Sequence, residues 1–287
     1  MASVFDRIVA YDGGADEVLS YAGVCVDNVR DLVHGAIFTR GPKDLHSTAI
    51  FIGGTDMSAG ERLLAAVQET FFGPMRVSVM LDSNGSNTTA VAAVARLMQT
   101  AGDVRGRRAV VVAGTGPVGT RAAGLLSRAG ANVAITSRHA DEANRVATHI
   151  RERFGGAVEA IVVADPSQLA SALGGAELLL NAGPAGIQLV PRTAWTAVRS
   201  LRVIADLNAV PPLGIEGVEV TDSGTDRNGV KAFGALGVGN FKMKVHKRCI
   251  AKLFERNDVV LDAESIGEVA RELMQSTPAP PSVPPPG

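Results

Sequence analysis

Short apolar runs rich in β-branched residues alternate with longer segments of helical periodicity along most of the chain. The apolar runs predict strands near residues 47–54, 76–82, 107–113, 131–138, 159–164, 177–181 and 202–206. The periodic segments predict helices near residues 58–69, 88–101, 117–129, 141–154, from 238 onward, and 262–274. Strands that alternate with helices in this way are typical of α/β proteins with parallel sheets.

The third predicted strand runs directly into the motif Gly114-x-Gly116-x-x-Gly119, and a helical pattern begins at once after it. In such a turn the first glycine allows a sharp bend, the second lets the backbone approach a pyrophosphate, and the third lets the helix pack against the strand. The amides of the first helical turn then face the anion. We therefore predict a Rossmann domain that binds a dinucleotide through Gly114, Thr115, Gly116, Pro117, Val118 and Gly119.

The polar connector Gly102-Asp-Val-Arg-Gly106 predicts a junction between two α/β units. We expect a first part of a substrate domain over residues 1–102 and the Rossmann domain over residues 103–238. Residues 239–275 are predicted to form helices that pack back on the smaller α/β domain and complete it, because the nucleotide domain needs no further element. Residues 276–287 are proline-rich and are predicted to be disordered.

The end of the second Rossmann strand bears on the choice of dinucleotide. Domains that prefer NAD usually place an acid about 20 residues after the glycine motif to hold the ribose hydroxyls. Here the segment is Thr136-Ser137-Arg138-His139, and no acid precedes Asp141. A hydroxyl and a guanidinium suit a 2′-phosphate, so Ser137 and Arg138 predict NADP. The alternative is that Arg138 only opens the next helix in solvent.

Two further strand ends carry asparagine: Asn181-Ala182-Gly183 and Asp206-Leu207-Asn208. Ligands of open parallel sheets bind outside the carboxyl ends of the strands, so these segments are candidate contacts for the ribose or the nicotinamide amide. The alternative is that Asn181 and Asn208 form turns and bond only to their own backbone.

Composition excludes several other classes of protein. The 287 residues are 46% hydrophobic and 20% charged with a formal net charge of −1, which favours neither nucleic acid nor an anionic membrane as a partner. No run approaches the roughly 18 apolar residues of a membrane span, and the N-terminus has no secretory pattern. Only Cys25 and Cys249 are present, and no metal-binding spacing occurs, so we expect a cytoplasmic protein without a metal site.

Five strings go beyond generic chemistry and occur in one order. They are Tyr11–Asp16, Met80–Thr89, Gly114–Gly119, Ala209–Gly217 and Phe233–Gly239. Together they resemble the NADP-dependent methylene-tetrahydromethanopterin dehydrogenases of methylotrophic bacteria, some of which also accept methylene-tetrahydrofolate. The resemblance runs from about Ser3 to Met274, and its most specific parts are the loops at 82–89 and 208–217.

This resemblance implies a cleft between a pterin-binding lobe and a Rossmann lobe, in which hydride passes from the one-carbon bridge of the pterin to the nicotinamide. It also implies a homo-oligomer, commonly a trimer. The chain departs from the family at its start, because it begins almost at the Ser-Val-Phe-Asp element and lacks the first strand. We expect either a weaker edge of the first lobe or a true start that lies upstream.

Hydride departure from a methylene bridge between two nitrogens leaves a delocalised cation and needs no general base. A nearby carboxylate would favour that charge, so Asp12 and Asp82 are candidates. With the resemblance, Asp12 and Lys242 are the predicted catalytic residues, and Lys242 would hold a carbonyl or carboxylate of the carrier or be neutralised by burial. The predicted substrate contacts are Asp82, Asn84, Ser86 and Thr88, each of which is alternatively a turn or cap residue.

Two other functions stay open at this stage. A shikimate-type NADP dehydrogenase would need a lysine–aspartate pair in the first lobe, where Lys43 is the only lysine. A non-catalytic NADP-sensing module is slightly favoured by the proline-rich tail, but the polar loop at 82–89 argues against it.

Overall fold

The computed structural model describes residues 3–276, apart from the side chain of Pro166. Its helices are α1 (Val4–Asp12), α2 (Val29–Phe38), α3 (Met57–Thr70), α4 (Ser86–Ala101), α5 (Pro117–Arg128), α6 (Ala140–Phe154), α7 (Leu169–Ala172), α8 (Arg192–Thr196), α9 (Ala235–Leu253) and α10 (Ala263–Ser276). Its strands are β1 (Ala49–Ile52), β2 (Ser78–Leu81), β3 (Arg108–Val112), β4 (Asn132–Ser137), β5 (Val158–Val162), β6 (Leu178–Asn181), β7 (Val203–Asp206), β8 (Ser223–Arg227), β9 (Val230–Phe233) and β10 (Val260–Leu261). The α/β prediction is confirmed.

The larger sheet has seven strands in the order β5-β4-β3-β6-β7-β9-β8, and only β8 runs antiparallel to its neighbour. The strand order reverses between β3 and β6, where doubly wound sheets bind their ligands. Val112 at the end of β3 lies opposite Asn181, and Asn181 lies opposite Asp206. The register therefore brings the predicted cofactor segments to one edge of the sheet.

The smaller sheet has three parallel strands in the order β1-β2-β10. Its third strand comes from the far end of the chain, since Val260 and Leu261 pair with Val79 and Met80. Helix α9 packs on α1 and α4, and α10 packs on α4 and α5. These are the contacts expected if residues 239–275 complete the first lobe, although the division into domains stays a prediction.

Helix α4 joins the two sheets. Ala90, Ala92 and Leu97 are fully buried, and the helix contacts α5, α9, α10 and β7. A helix that is apolar on most of its circumference belongs inside a protein. One core cluster therefore contains side chains of both sheets, and it fixes the β2–α4 connection relative to the nucleotide lobe.

Several elements were missed by the sequence prediction, including α1, α2 and the β8–β9 hairpin. Helix α1 buries Val9 and leaves Val4, Ile8 and Tyr11 exposed, although its apolar residues recur at helical spacing. The hairpin turn is Asn228-Gly229, with φ of 57° and 80°, and Asn-Gly is a known hairpin signal. The predicted disordered tail lies outside the described residues except for Ser276, which ends α10.

Candidate functional site

The β3–α5 connection, residues 113–119, is here named the phosphate turn. Its left-handed residue is Ala113, with φ of 53°, which directly precedes Gly114. The amide of Ala113 donates to Thr136 Oγ1 at 3.1 Å, which holds the bend against β4. Gly114 is required for packing, because a Cβ on it would lie 2.7 Å from Ile135 Cβ.

The other two glycines of the phosphate turn serve different purposes. A Cβ on Gly119 would lie 2.7 Å from the Cα of Gly114, so Gly119 permits the close approach of helix and strand. Among the described residues, a Cβ on Gly116 would meet only the carbonyl of Ala113, at 3.9 Å. Its missing side chain therefore leaves open space at the turn, where the motif predicts a pyrophosphate.

The first turn of α5 is not capped by a side chain of the described residues. Gly116 is its N-cap and provides no side-chain cap, and Pro117 at the first position has no N–H. Within residues 3–276 the amides of Thr115, Val118 and Gly119 donate no hydrogen bond. Helix N-termini with free amides bind phosphate, so these residues fit the pyrophosphate of a dinucleotide.

The end of β4 provides Ser137 and Arg138 beside this turn. Ser137 Oγ accepts a hydrogen bond from the amide of His139 at 3.3 Å. Arg138 is exposed, and its side chain has neither a hydrogen bond nor an ion pair within the described range 3–276. The guanidinium is thus available to an anion, and equally available to solvent.

The two asparagines at the ends of β6 and β7 bond to the protein. Asn181 Nδ2 donates to Asp206 Oδ1 at 2.8 Å, and Asn181 Oδ1 accepts from the amide of Gly183 at 3.2 Å. Asn208 Oδ1 accepts from the amides of Gly186 and Val210. Their expected side-chain contacts with a cofactor find no support in this geometry, because these amides already shape the loops that follow the strands.

Backbone groups at this edge are partly used as well. The amide of Ala182 donates to the carbonyl of Val112 at 3.1 Å, which ties β6 to β3. Ala182 and Gly183 are half-buried, so they line the edge without offering a polar side chain.

The β2–α4 connection, residues 82–88, is here named the capped loop. Asp82 is fully buried, and its Oδ1 accepts from the amides of Asn87 at 2.9 Å and Thr88 at 3.0 Å. Thr88 Oγ1 donates to Asp82 Oδ2 at 2.6 Å. The expected substrate contacts of Asp82 and Thr88 therefore find no support, because their polar groups are bonded to each other and to the helix N-terminus.

The remaining part of the capped loop is more open. Asn84 is exposed and left-handed, with φ of 54°, and its amide donates to the carbonyl of Gly54. Ser86 is buried, and its Oγ has no hydrogen-bond partner within the described residues. These two side chains keep their hydrogen-bonding groups free for a ligand.

Lys242 of α9 lies over the capped loop. Its Nζ is 2.7 Å from the position that a Cβ on Gly85 would take, and Gly85 is itself left-handed with φ of 61°. The same Nζ lies 5.2 Å from the ring centroid of Phe5 on α1. Lys242 is only half-buried and is in no salt bridge of the described residues, so its Nζ is open to a ligand.

His246, one turn beyond Lys242, was not predicted. Its ring is fully buried, stacks on Phe51 with centroids 5.8 Å apart, and has no hydrogen-bond partner on either nitrogen within the described residues. Burial lowers the pKa of His246, Lys242 lowers it further, and the carboxylates of Asp82 and Asp6 oppose this shift. Its position four residues after Lys242 was the sequence signal.

Asp12 is not brought to Lys242. It ends α1 and forms a 2.7 Å ion pair with Lys247 Nζ, and both side chains are about half exposed (45% and 42%). Phe5, which does approach Lys242, lies seven residues earlier on α1, about 10 Å away along the helix axis. The predicted catalytic role of Asp12 finds no support in this placement.

A partly buried ion-pair network joins the two lobes, and sequence analysis missed it. Arg121 of α5 and Arg153 of α6 both bind Oε1 of Glu61 on α3, and Arg153 also binds Glu264 of α10. Arg121 is 6% exposed and stands among small residues of α5. A lone charge among small residues is a signal for such a pair, but Glu61 lies 60 positions away.

Within residues 3–276, no group of three His, Cys, Asp or Glu side chains is arranged to hold a metal ion. No helix in that part of the chain is both long and apolar enough to cross a bilayer.

Comparison with known proteins identifies the family. Residues 4–84 match the family model described as the N-terminal domain of methylene-tetrahydromethanopterin dehydrogenase. The bifunctional protein MdtA of Methylorubrum extorquens is 52% identical over 272 residues, which is 94% of each chain. The chain belongs to the methylene-tetrahydromethanopterin dehydrogenase family. A second relative from that organism, the NAD(P)-dependent methylenetetrahydromethanopterin dehydrogenase, is 31% identical over 280 residues and again 94% of each chain.

Family membership removes the shikimate-type alternative. A shikimate 5-dehydrogenase from Listeria monocytogenes overlaps 93% of this chain and 91% of its own, with a TM-score of 0.47 and 13% identity. At this level of similarity the superposition supports no inference about substrate. The matched N-terminal model ends at residue 84, so it includes only the first part of the capped loop, residues 82–84.

Proposed function

We propose that this chain transfers a hydride between the methylene bridge of methylene-tetrahydromethanopterin and NADP, in one-carbon metabolism. The observation that carries the proposal is the open N-terminus of α5 in a member of this family. The free amides of Thr115, Val118 and Gly119 lie at the carboxyl end of β3, where they suit a pyrophosphate.

The nicotinamide, when bound, supplies the hydride acceptor. The chain supplies placement: the phosphate turn holds the cofactor at the carboxyl end of β3, and α4 packs against both α5 and α9. A near-attack separation of about 3–3.5 Å between donor carbon and acceptor is the main requirement. Hydride departure needs no general base, so the site is not required to supply a proton-abstracting side chain.

On the pterin side we assign binding to Lys242, Asn84 and Ser86. Lys242 Nζ lies over Gly85, and Ser86 Oγ is buried without a partner within the described residues. The ammonium suits a carbonyl or carboxylate of the carrier better than the forming cation, since like charges repel. Asn84 and Ser86 offer donor and acceptor groups to the edge of the pterin ring.

We propose NADP rather than NAD as the preferred cofactor. Arg138 is exposed and unpaired within residues 3–276, and it follows the strand next to β3. No carboxylate takes the usual ribose-binding position at the end of β4, where Ser137 and Arg138 stand. A guanidinium binds a 2′-phosphate with two parallel hydrogen bonds, while a carboxylate would repel it.

The test is an assay of the purified chain with NADP or NAD and either methylene-tetrahydromethanopterin or methylene-tetrahydrofolate, followed by the absorbance of the reduced nicotinamide. We expect turnover with the methanopterin carrier and a higher kcat/KM with NADP than with NAD. Nucleotide binding without turnover on either carrier would contradict the enzyme and favour a sensing module.

We further propose that the chain acts in the cytoplasm as a homo-oligomer, commonly a trimer in its family. Val4, Ile8 and Tyr11 of α1 are 73%, 56% and 51% exposed and follow one another at helical spacing. A second copy that covers this row would remove apolar surface from water. Sedimentation equilibrium of the chain and of Ile8→Lys tests this, since a monomeric wild-type chain would contradict it.

A further inference from the structure

Arg121 connects the phosphate turn to the capped loop. Its Nη1 donates to the carbonyl of Pro117 at 3.1 Å, and Pro117 is the first residue of α5. Its Nε donates to Asn87 Oδ1 at 2.9 Å, and Asn87 lies in the first turn of α4. One guanidinium thus bonds to the starts of both helices whose preceding turns form the site.

The third bond of Arg121 anchors it from a third element. Nη2 donates to Glu61 Oε1 at 2.7 Å, and Glu61 belongs to α3 of the smaller lobe. The side chain is 7% exposed, so its planar group is fixed by packing as well as by hydrogen bonds. A guanidinium has its donors in a rigid fork, and three partners on three elements define its position.

Asn87 connects Arg121 to the rest of the capped loop through hydrogen bonds. Its Nδ2 donates to the carbonyl of Leu81 at 2.6 Å, at the end of β2. Its amide donates to Asp82 Oδ1, the carboxylate that also caps Thr88. A shift of Arg121 would therefore move the loop that carries Asn84 and Ser86.

We propose that Arg121 is a positioning residue that sets the spacing between the phosphate turn and the capped loop, and hence between nicotinamide and pterin. This role rests on the proposed function, because it concerns the alignment of the two reactants. A displacement of about 1 Å far from the reacting atoms can lower a rate by roughly a hundredfold.

The matched pair of variants is Arg121→Met and Arg153→Met. Both remove one arginine from the Glu61 network, but within the described residues only Arg121 also bonds to Asn87 and Pro117. We expect Arg121→Met to lower kcat roughly tenfold to hundredfold with little change in either KM. Arg153→Met should lose thermal stability to a similar degree and keep kcat near the wild-type value.

The conservative variant sharpens the distinction. Arg121→Lys keeps a cation beside Glu61, but its single nitrogen cannot reach Asn87 and Pro117 together. We expect stability close to wild type and a kcat between those of the wild type and Arg121→Met. The primary deuterium isotope effect on kcat, measured with deuterated methylene carrier, should increase in both Arg121 variants as hydride transfer becomes slower than product release.

A readout without turnover is hydrogen exchange of the capped loop, with and without NADP. If Arg121 links the two turns, NADP binding at 113–119 should slow amide exchange at Asn87 and Thr88 in the wild type and in Arg153→Met. In Arg121→Met at saturating NADP, this slowing should be lost.

Equal losses of kcat in Arg121→Met and Arg153→Met, or unchanged kcat in Arg121→Met, would overturn the proposal. So would an absence of NADP-dependent protection at Asn87 in the wild type. Failure of the proposed function has a different signature, since it is a wild-type chain that does not turn over either carrier. The exchange experiment then still decides the role of Arg121.

Discussion

The phosphate turn and the capped loop have the same local topology, a buried parallel strand followed by a tight turn and a long helix. They differ in what lies at the helix N-terminus. In the capped loop, Asp82 fills the first turn of α4 with a carboxylate of the chain itself. In the phosphate turn, Gly116 provides no cap and the amides of Val118 and Gly119 stay free within residues 3–276.

The space around the two turns differs in the same way, since it is occupied at the capped loop and open at the phosphate turn. Lys242 Nζ lies over Gly85, whereas the atom of the described residues nearest to a Cβ on Gly116 is the carbonyl oxygen of Ala113, at 3.9 Å. One helix N-terminus is thus satisfied by a carboxylate of the chain, while the other stays open in a way that suits an external anion. The difference lies in the residue that reaches the first helical turn, and not in the strand–turn–helix itself.

The largest expected effect on stability comes from removing the carboxylate of Asp82. Asp82→Ala leaves two buried amides and the Thr88 hydroxyl without their acceptor, so we expect the free energy of unfolding to fall by about 3 kcal/mol. Asp56→Ala is the matched control, since Asp56 caps α3 with one bond to the amide of Ala59 in an exposed position. It should cost about 1 kcal/mol. Urea unfolding of both variants measures the difference, and equal losses would contradict it.

Two glycine-to-alanine substitutions in the phosphate turn should differ in their effect on stability. Gly119→Ala places a Cβ against the backbone of Gly114 and should lower the free energy of unfolding by about 2 kcal/mol. Gly116→Ala meets no such contact, so stability should stay within about 0.5 kcal/mol of wild type.

Nucleotide affinity completes that comparison. We expect Gly116→Ala to raise the Kd for NADP about tenfold, or 1.4 kcal/mol, because the new methyl occupies the space left for the pyrophosphate. Titration calorimetry of the variant measures this. Wild-type affinity in a stable Gly116→Ala protein would place the pyrophosphate elsewhere.

The preference for NADP over NAD is tested by charge reversal of Arg138, at the end of β4. Arg138→Glu should lower the preference for NADP over NAD by about tenfold, or 1.4 kcal/mol. The introduced carboxylate repels the 2′-phosphate of NADP but does not repel the ribose hydroxyls of NAD. The ratio of the two kcat/KM values is the measurement. Arg145→Glu, on the exposed side of α6, is the control and should leave the ratio unchanged. Equal losses with both nucleotides would remove the assignment.

The smallest effect concerns the histidine packed beside the capped loop. Because burial lowers the pKa of His246 in the folded chain, the unfolded chain binds its proton first as the pH falls. The stability linked to His246 is complete above about pH 6.5 and is lost below it, by at most about 1.4 kcal/mol per pH unit. Asp82 and Asp6 reduce this loss and Lys242 increases it.

Urea unfolding at pH 7.5 and 5.5 tests this sign. His246→Gln should unfold with a smaller decrease in stability between the two values than the wild type. His149→Gln changes an exposed histidine of α6 and should leave the decrease as it is. A larger decrease in His246→Gln would show that the folded chain favours the imidazolium.

Local patterns were sufficient for most of the larger sheet. The run before Gly114 and the segments ending near Asn181 and Asp206 formed strands as predicted, because short β-branched and apolar runs are buried on both faces of a parallel sheet. The phosphate turn was also predictable from its glycine motif, although Gly114 packs against Ile135 of the neighbouring strand β4. The left-handed position at Ala113 was not predicted; the amide of Ala113 donates to Thr136 Oγ1 on the neighbouring strand β4.

The rest of the site depends on partners that are distant along the chain. Whether Asp82, Asn181 and Asn208 point at a ligand or at the protein cannot be inferred from their residue type, because the same oxygens serve both purposes. Asp12 illustrates the same limit. The Gly-Gly turn after it was visible in the sequence, but its ion-pair partner Lys247 lies 235 positions away. Placement of a polar side chain follows from packing between elements.

The sequence by itself determined most of the strands and helices, the glycine turn after β3 and the family, since these depend on periodicity and short motifs. Only the tertiary structure decided which helix N-terminus is filled and which is open. It also decided that Arg121 bonds to α3 and α4 and that the strand Val260–Leu261 completes the sheet of β1 and β2. The physical reason is that hydrogen bonds and ion pairs between distant segments form only after the core around α4 has brought those segments together.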